Sequence, residues 1–362
     1  MDKAIDYRKY LQLDTLINIQ NPESASGPAE CHDETLFIIT HQVYELWFKQ
    51  ILHELDAIIR VFNKSAVDEH DLFRAVAWQL RVIEIQKILI AQLTIMETMT
   101  AMDFLEFRDL LIPASGFQSV QFRLIEIKLG LGTANRSCVD RNYLLSALDS
   151  QDQQRIDGAE REPSLFGLVE AWLERIPFIA GEGFDFWALY QEAVDAMLDG
   201  EARIVSLHSR DPKSALSPGL SNVEASRRNF ASLFDQGLHD NLVRDGQRRL
   251  SRKAMLSALF ILLYREEPIL QLPFNFLTNL MDIDENFTAW RYRHALMAHR
   301  MLGRKVGTGG SSGHEYLKKT AEESRFFEDL FNLSTFLLPR SKLPVLSKAL
   351  KRDLNFHFES KN

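Results

Sequence analysis

The feature that most restricts the fold of this chain is a long stretch, residues 29–112, that contains neither glycine nor proline. A sheet protein needs a turn every few residues, and turns depend on these two residue types. A few long helices can cross such a stretch without them. We find no long alternating strand pattern elsewhere in the sequence. These observations together predict an all-α fold.

Hydrophobic periodicity predicts where the helices lie. The first spans about residues 33–62 and carries Phe37, His41 and Tyr44 on its apolar face. The second spans about residues 71–102, before the Pro113–Gly116 segment breaks the pattern. We interpret residues 134–165 as a surface loop with room for one short helix, and residues 211–221 as a linker. Further helices are predicted at about residues 164–175, 184–209, 222–244, 250–265, 274–302 and 321–338.

Length and composition are those of an ordinary globular protein. With 362 residues, of which 46% are hydrophobic and 25% charged, the chain can bury one sizeable core and carry an appended subdomain. We predict a helical-bundle core of residues 29–130 and 245–340, with a smaller inserted helical subdomain of residues 131–244. Residues 1–28 are predicted to form an N-terminal arm, and residues 341–362 a C-terminal tail.

Charge and cysteine content exclude several classes of protein. The net charge of −8 argues against a general nucleic-acid binder, which needs a basic face. The N-terminus has no apolar signal region, and no apolar run is long enough to span a membrane. Cys31 and Cys138 have no metal-ligand spacing, which excludes a structural zinc cluster and fits a reducing compartment. We expect a cytoplasmic protein that binds neither nucleic acid nor membrane.

A glycine- and hydroxyl-rich segment, Gly307-Thr-Gly-Gly-Ser-Ser-Gly313, interrupts the helical pattern. Its glycines can take backbone angles closed to other residues, so it could fold around a ligand and present N–H and hydroxyl groups. A flexible linker explains the same composition equally well. A phosphate-binding loop is less favoured, because no strand precedes the segment and no Gly-Lys-Ser/Thr ends it.

Three polar residues stand at positions that suggest a site. His41 lies one helical turn from Phe37 on the apolar face, although a lone core histidine is more often bound to a carbonyl. His294 follows Trp290 by one turn, an arrangement that suits an axial haem ligand but is a weak signal alone. Arg108 ends a helix before a hydroxyl-rich turn and could bind a carboxylate, or could simply be a solvated arginine.

Taken together, several ordered segments resemble the tryptophan 2,3-dioxygenase family. The resemblance runs from about Tyr7 to Pro339. The length of the chain is more similar to that of the longer, animal-type members than to that of the short bacterial ones. The segments Leu-Met-Asp-Ile-Asp284 and Phe-Asn-Leu-Ser-Thr335 also resemble the animal-type members. The matching segments are residues 32–50, Glu97-Thr-Met-Thr100, Phe107-Arg108, residues 113–123, Tyr264-Arg-Glu-Glu-Pro268, Trp290-Arg-Tyr-Arg-His294 and Gly307–Gly313.

The resemblance implies a homotetrameric haem b enzyme with a ferrous iron. Its reaction would cleave the indole C2–C3 bond of L-tryptophan with O2 to give N-formyl-L-kynurenine, the first step of tryptophan degradation by the kynurenine pathway. By the same resemblance, His294 is the axial ligand of the haem iron and Trp290 lies beside it. Arg123 and Ser115 are implied to approach the haem, with Arg123 near a propionate.

The resemblance also implies the substrate-binding residues. His41 would accept the indole N–H and orient the ring, which makes it the catalytic candidate, and Phe37 would pack against the indole. Arg108 would bind the substrate carboxylate, and Thr308 the ammonium and carboxylate ends. Phe104 stands where some short bacterial members have tyrosine. The remaining implied positions are Ile38, Ile39 and Thr40 in the pocket wall, Ser115 and Gly116 at its border, and Tyr7 and Tyr10, which reach the neighbouring subunit's site.

Two other functions stay open at the level of sequence. A haem protein of the same fold could oxygenate another indole or aromatic amino acid, although Arg108 and Thr308 favour a substrate with an amino-acid head. Without the family motifs, an acidic all-helical chain could equally be a non-enzymatic scaffold.

Overall fold

The computed structural model of the protein describes residues 5–27, 30–131, 148–176, 180–181, 184–208, 218–303, 305 and 313–354. The predicted all-α fold is confirmed; the strands in the described ranges are the two-residue segments β1 (Ala180–Gly181) and β2 (Phe184–Asp185), which pair antiparallel. The helices are α1 (Tyr7–Tyr10), α2 (Leu13–Leu16), α3 (His32–Phe62), α4 (Glu69–Met96), α5 (Ala101–Arg108), α6 (Val120–Leu129), α7 (Ser150–Arg161), α8 (Leu165–Leu173), α9 (Phe186–His208), α10 (Pro218–Phe234), α11 (Gln236–Arg244), α12 (Arg252–Leu263), α13 (Gln271–Leu302), α14 (Gly313–Glu323), α15 (Glu328–Asn332) and α16 (Lys348–Asp353).

The second predicted helix is interrupted. Instead of running to residue 102, α4 ends at Met96 and α5 begins at Ala101. Thr100 and Asp103 form a capping box: the Thr100 side chain accepts a hydrogen bond from Asp103 N, and Asp103 Oδ2 accepts one from Thr100 N at 3.0 Å. This reciprocal cap starts a new helix, because it satisfies N–H groups that a continuous helix would use internally. The break sets the position of Arg108 at the end of α5.

Two other predicted helices are also divided. The prediction for residues 222–244 corresponds to α10 and α11, because Asp235 caps α11 by accepting a hydrogen bond from Leu238 N at 2.8 Å. The prediction for residues 321–338 corresponds to the end of α14, to α15 and to a 3-10 turn at Leu333–Phe336. The sequence allowed one short helix within the predicted loop at residues 134–165, and this helix is α7. Residues 132–147 lie outside the described ranges.

The chain divides into two compact units. The first, called unit 1, comprises residues 1–57, 78–164 and 282–326, and the second, unit 2, comprises residues 58–77, 165–281 and 327–362. These boundaries differ from the core and insert predicted from the sequence, whose division remains a prediction.

Buried polar side chains connect the long helices of unit 1. The Tyr44 hydroxyl on α3 donates to Leu89 O on α4 at 2.8 Å. On α4, Gln92 donates to Thr40 O and Gln86 donates to Ile283 O, each at 2.9 Å. Each of these donors is buried, so the bonds form away from competing water. They hold α3 and the unit 1 part of α13 against α4. The apolar side chains around them include Phe48, Ile51, Leu55, Val82, Leu89, Ile125 and Phe287.

Unit 2 has an aromatic core and a buried polar cluster. The aromatic side chains are those of Phe186, Tyr190, Phe260 and Tyr264, with Phe186 and Phe260 centred 5.1 Å apart. In the polar cluster, His239 Nε2 lies 2.9 Å from Leu250 O, and Arg248 Nη1 lies 3.0 Å from His239 Nδ1. The neutral imidazole satisfies both contacts by donating to the carbonyl and accepting from the guanidinium.

Within the described ranges, no single helix is long and apolar enough to cross a membrane. Helix α4 and the segment Ala101–Leu111 meet the requirements of length and composition only when taken together, across a bend of 90°.

Candidate active site

Unit 1 contains a cavity of about 300 Å³. This volume is within the range of small-molecule sites, which are typically apolar with a few polar groups at fixed positions. The apolar side chains that line it are those of Phe37, Phe48, Leu93, Met96, Met99, Phe104, Phe122, Met297, Met301, Leu302 and Leu317. Flexible methionines next to rigid aromatic rings suit a large, flat, apolar ligand.

His41 presents an acceptor nitrogen to this cavity. Its Nδ1 lies 2.7 Å from Phe37 O, one turn earlier in α3, so Nδ1 carries the proton and Nε2 keeps its lone pair. The ring is accessible from the cavity yet surrounded by protein atoms. This desolvation lowers the His41 pKa below 6.5, against the opposing effects of the Phe37 carbonyl and the Glu45 charge. The imidazole is therefore neutral at neutral pH.

His294 is a second neutral imidazole in the same cavity. Its ring stacks on Trp290, with 5.3 Å between ring centroids and 6° between planes. Burial and, to a smaller extent, the nearby His41 together lower the pKa of His294 to about 4. A neutral imidazole held by an aromatic ring can give its lone pair to a metal. In the part of the chain that the structure describes, no three His, Cys, Asp or Glu side chains converge as a metal site.

Trp290 joins His294 to the aromatic wall. Its ring packs edge-on against Tyr44 and Phe48, with centroid distances of 6.0 and 6.2 Å, and is tilted against Phe122 at 5.1 Å. The Trp290 Nε1–H is buried and lies near the Tyr44 hydroxyl without reaching hydrogen-bond geometry with a described residue. A buried donor of this kind is expected at a site that takes a ligand.

Arg108 brings a positive charge to the end of the cavity formed by α5. Its side chain is 14% exposed, and the Asp109 carboxylate lies 3.8 Å away. Beside it, Phe37 stacks on Phe104 with 5.7 Å between centroids and meets Phe107 edge-on at 5.6 Å. The arrangement places a guanidinium next to an aromatic surface, which fits a ligand that has both a carboxylate and a ring.

A buried ion-pair cluster forms another part of the wall. Arg123 Nη1 donates to Glu126 Oε2 at 2.7 Å, and Arg291 Nη2 donates to Glu126 Oε1 at 2.9 Å. Helix α6, which carries Arg123 and Glu126, is limited by Ser119, whose side chain accepts from Phe122 N, and by Gly130, a left-handed C-cap with φ of 100°. These caps fix the helix turn that faces the cavity.

Comparison with known proteins identifies the family of this chain. The family described as Tryptophan 2,3-dioxygenase matches residues 1–337. The chain belongs to this family. A tryptophan 2,3-dioxygenase of Alteromonas mediterranea is 48% identical over 353 residues, which cover 98% of each chain. That of Bdellovibrio bacteriovorus is 47% identical over 98% of this chain and 99% of its own, and that of Xenopus laevis is 45% identical over 96% and 86%.

The cavity brings together many of the residues implied by the resemblance to the tryptophan 2,3-dioxygenase family. Those in its wall are Phe37, His41, Arg108, Ser115, Gly116, Arg123, Trp290 and His294. Ile38, Ile39 and Thr40 are not among the described lining residues; Ile39 is 44% exposed, and Thr40 is buried with its carbonyl bound by Gln92. Thr308 lies outside the described residues. Tyr7 and Tyr10 in α1 are each 72% exposed.

Sequence reasoning missed several lining residues of this tryptophan 2,3-dioxygenase family member. Glu126 and Arg291 pair across 165 positions of sequence, which no local pattern reveals. A weak signal existed for Arg291, which lies inside the Trp290–His294 motif. Tyr44 and Glu45 follow His41 by about one turn on α3; the apolar stripe that predicted His41 also contained Tyr44, but not Glu45.

Proposed function

We propose that the protein is a haem-dependent dioxygenase that cleaves the indole C2–C3 bond of L-tryptophan with O2 and releases N-formyl-L-kynurenine. Family membership supports the reaction class, and the cavity supports the substrate class. The observation that carries the proposal is the presence, in one apolar cavity, of two neutral imidazoles and a guanidinium: His41, His294 and Arg108. An amino acid with an indole ring could use His41 and Arg108, while His294 is left for a metal-containing cofactor.

The residues present fit haem b as the cofactor. His294 would bind its iron, since its imidazole is neutral and faces an apolar cavity, and Trp290 would hold the imidazole in place. Arg123 and Ser115 would contact the polar edge of the cofactor, because both lie in the cavity wall and a guanidinium suits a carboxylate. Ferrous haem, when bound, supplies the activation of O2 that amino-acid side chains cannot perform.

The remaining polar residues anchor the substrate. Arg108 would bind the carboxylate, and Thr308 would bind the ammonium and carboxylate ends. His41 Nε2 would accept the indole N–H, because the contact between Nδ1 and Phe37 O leaves that nitrogen as an acceptor. Phe37 would pack on the indole, with Ser115 and Gly116 at the border, and Ile38, Ile39 and Thr40 would support Phe37 from the same turn of α3. His41 then acts mainly by orienting the ring, since a fixed orientation accelerates reaction without proton transfer.

The N-terminal arm is proposed to complete the site of a neighbouring subunit in a homotetramer. Helix α1 presents Tyr7 and Tyr10 outward, and neither side chain is buried in its own chain. Such exposed aromatic side chains favour a protein contact. The root of the arm is fixed, because Glu34 accepts hydrogen bonds from Glu23 N at 2.8 Å and Ser24 N at 3.0 Å. We further propose that the enzyme acts in the cytoplasm.

Purified protein tests the proposal directly. A Soret band and conversion of tryptophan to N-formylkynurenine are expected, and His294→Ala is expected to lose most of the haem and all turnover. Colourless wild-type protein, or a His294→Ala variant with full haem content and normal activity, would show that the proposal is wrong. Oxygenated tryptophan without ring cleavage would point instead to a related haem oxygenase, which the family relationship does not favour.

A further inference from the structure

Arg123, Glu126 and Arg291 form a cluster of two ion pairs in the cavity wall. The side chains of Glu126 and Arg291 are 4% and 5% exposed, and that of Arg123 is 15% exposed. Burying charged groups is expensive, so an ion-pair cluster of this kind is weak evidence for a role in stability. Two guanidinium groups share one carboxylate, which gives the triad a formal charge of +1 at the cavity wall.

Glu126 remains ionised in this setting. Burial raises its pKa, but the charges of Arg123 and Arg291 and their hydrogen bonds bring it below the ordinary value. Each carboxylate oxygen accepts from a different arginine, Oε2 from Arg123 and Oε1 from Arg291. The carboxylate is therefore a bridge between the two arginines, and both bonds are charge-assisted.

Arg291 is fixed on several sides. Its Nη1 donates to Ser324 O at 2.9 Å while Nη2 donates to Glu126. Its guanidinium carbon lies 5.7 Å from the Phe122 ring centroid and 5.2 Å from that of Phe326. A guanidinium held by two hydrogen bonds and two rings has little freedom to move. Arg291 can thus hold the Glu126 carboxylate in a fixed position.

The triad joins two helices that carry different parts of the proposed cofactor site. Arg291 lies three residues before His294 on α13, while Arg123 lies three residues before Glu126 on α6. Residues three apart in a helix share a face. The bridge through Glu126 therefore connects the turn that bears His294 to the turn that bears Arg123.

We propose that Glu126 and Arg291 are positioning residues that hold the Arg123 guanidinium in register with His294, so that it meets a carboxylate of the cofactor bound by His294. This inference rests on the proposed haem function. It assigns the two residues no contact with the reacting atoms. Their role would be to fix the separation between the His294 imidazole and the Arg123 guanidinium.

Haem dissociation from the holoprotein tests this role independently of turnover. Protein is loaded either with protohaem or with its dimethyl ester, whose carboxylates are blocked, and the rate of haem loss to a scavenger is measured. Glu126→Gln is expected to accelerate the loss of protohaem by about ten- to a hundredfold, which corresponds to the loss of one charge-assisted hydrogen bond. The same variant is expected to accelerate the loss of the dimethyl ester by less than about threefold. Arg291→Lys keeps the charge but not the forked donor pair, and a smaller change in the same direction is expected.

A matched control is Arg293→Gln, which removes a neighbouring arginine of α13 that is 41% exposed and paired with Glu97 at 2.5 Å. It is expected to change neither rate. In a double-mutant cycle, Glu126→Gln should add little to Arg123→Gln if both act through the same guanidinium.

Three results would overturn the inference. If Glu126→Gln accelerated the loss of protohaem and of the ester equally, Glu126 would have a purely structural role. If Glu126→Gln or Arg291→Lys left the rate of haem loss unchanged, the substituted residue would have no role in holding the cofactor. A wild-type protein that loses both haems at the same rate would show that no carboxylate contact exists. In each case the protein still binds haem, so the proposed function would stand; a wild-type protein that binds neither haem would contradict the proposed function itself.

Discussion

Arg108→Leu separates substrate anchoring from chemistry. The Arg108 side chain is mostly buried, and its neighbour Asp109 is 3.8 Å away and 81% exposed, so this ion pair competes little for the guanidinium. A charge-assisted hydrogen bond to the tryptophan carboxylate is worth about 1.5–3 kcal/mol, which predicts a KM increase of about ten- to a hundredfold. The value of kcat should change far less, because the carboxylate is remote from the bond that breaks and its binding is uniform along the reaction.

The assay is steady-state formation of N-formylkynurenine, with activity normalised to haem content. Tryptamine lacks the carboxylate, so Arg108→Leu should leave its weak binding nearly unchanged and abolish most of the preference for tryptophan over tryptamine. Arg300→Leu, at an exposed position near the end of α13, is the matched control and should behave as wild type. An unchanged KM for tryptophan, or the same proportional loss for both compounds, would refute the reasoning.

Three further outcomes are expected. His41→Ala should retain its haem and lose about tenfold in kcat/KM, because a neutral hydrogen bond is worth about 0.5–1.5 kcal/mol. Complete inactivity with an intact Soret band would indicate a chemical role for His41. Burial and the Arg248 charge lower the His239 pKa, and the hydrogen bond to the Leu250 carbonyl only partly opposes them. As the pH is lowered, the unfolded chain therefore binds a proton at this histidine near about pH 6.5, while the folded protein does so only at lower pH. The free energy of unfolding should therefore fall as the pH drops below about 6.5, and denaturant titrations should show a shallower fall for His239→Gln; identical pH profiles would contradict this assignment. Deleting residues 1–20 should raise the tryptophan KM and weaken the oligomer without loss of haem. Steady-state kinetics would measure the KM, and sedimentation would measure the oligomeric state. An unchanged tetramer with an unchanged KM would show that the arm has no part in the site.

Local spacing explains which parts of the site could be predicted from the sequence. Phe37 and His41, and likewise Trp290 and His294, are four residues apart, and in each helix this spacing brings the two rings together. Arg108 was predictable as a helix end, although the helix that it ends is α5 rather than an extension of α4. Periodicity concealed the break at Thr100, because the apolar pattern continues across it; the Thr-x-x-Asp signature of the capping box was the clue.

Tertiary pairing explains most of what could not be predicted. Glu126 and Arg291 are each ordinary charged residues in an amphipathic helix, and charged residues usually face solvent. Only the packing of α6 against α13 makes them a buried pair. The division into units 1 and 2 was equally inaccessible, since its boundaries cut through α3, α4 and α13, where composition and periodicity do not change.

The cross-links between the long helices of unit 1 have a consequence for mutational robustness. Tyr44, Gln86 and Gln92 all donate to main-chain carbonyls, at Leu89, Ile283 and Thr40. A carbonyl oxygen has two lone pairs, so it can serve the helix and the cross-link together, and no side-chain substitution at the accepting position removes it. Each link is therefore vulnerable at one of its two residues only. The accepting residues are buried, so packing still limits their side chains, but a substitution there leaves in place the hydrogen bond that aligns the helices around the cavity.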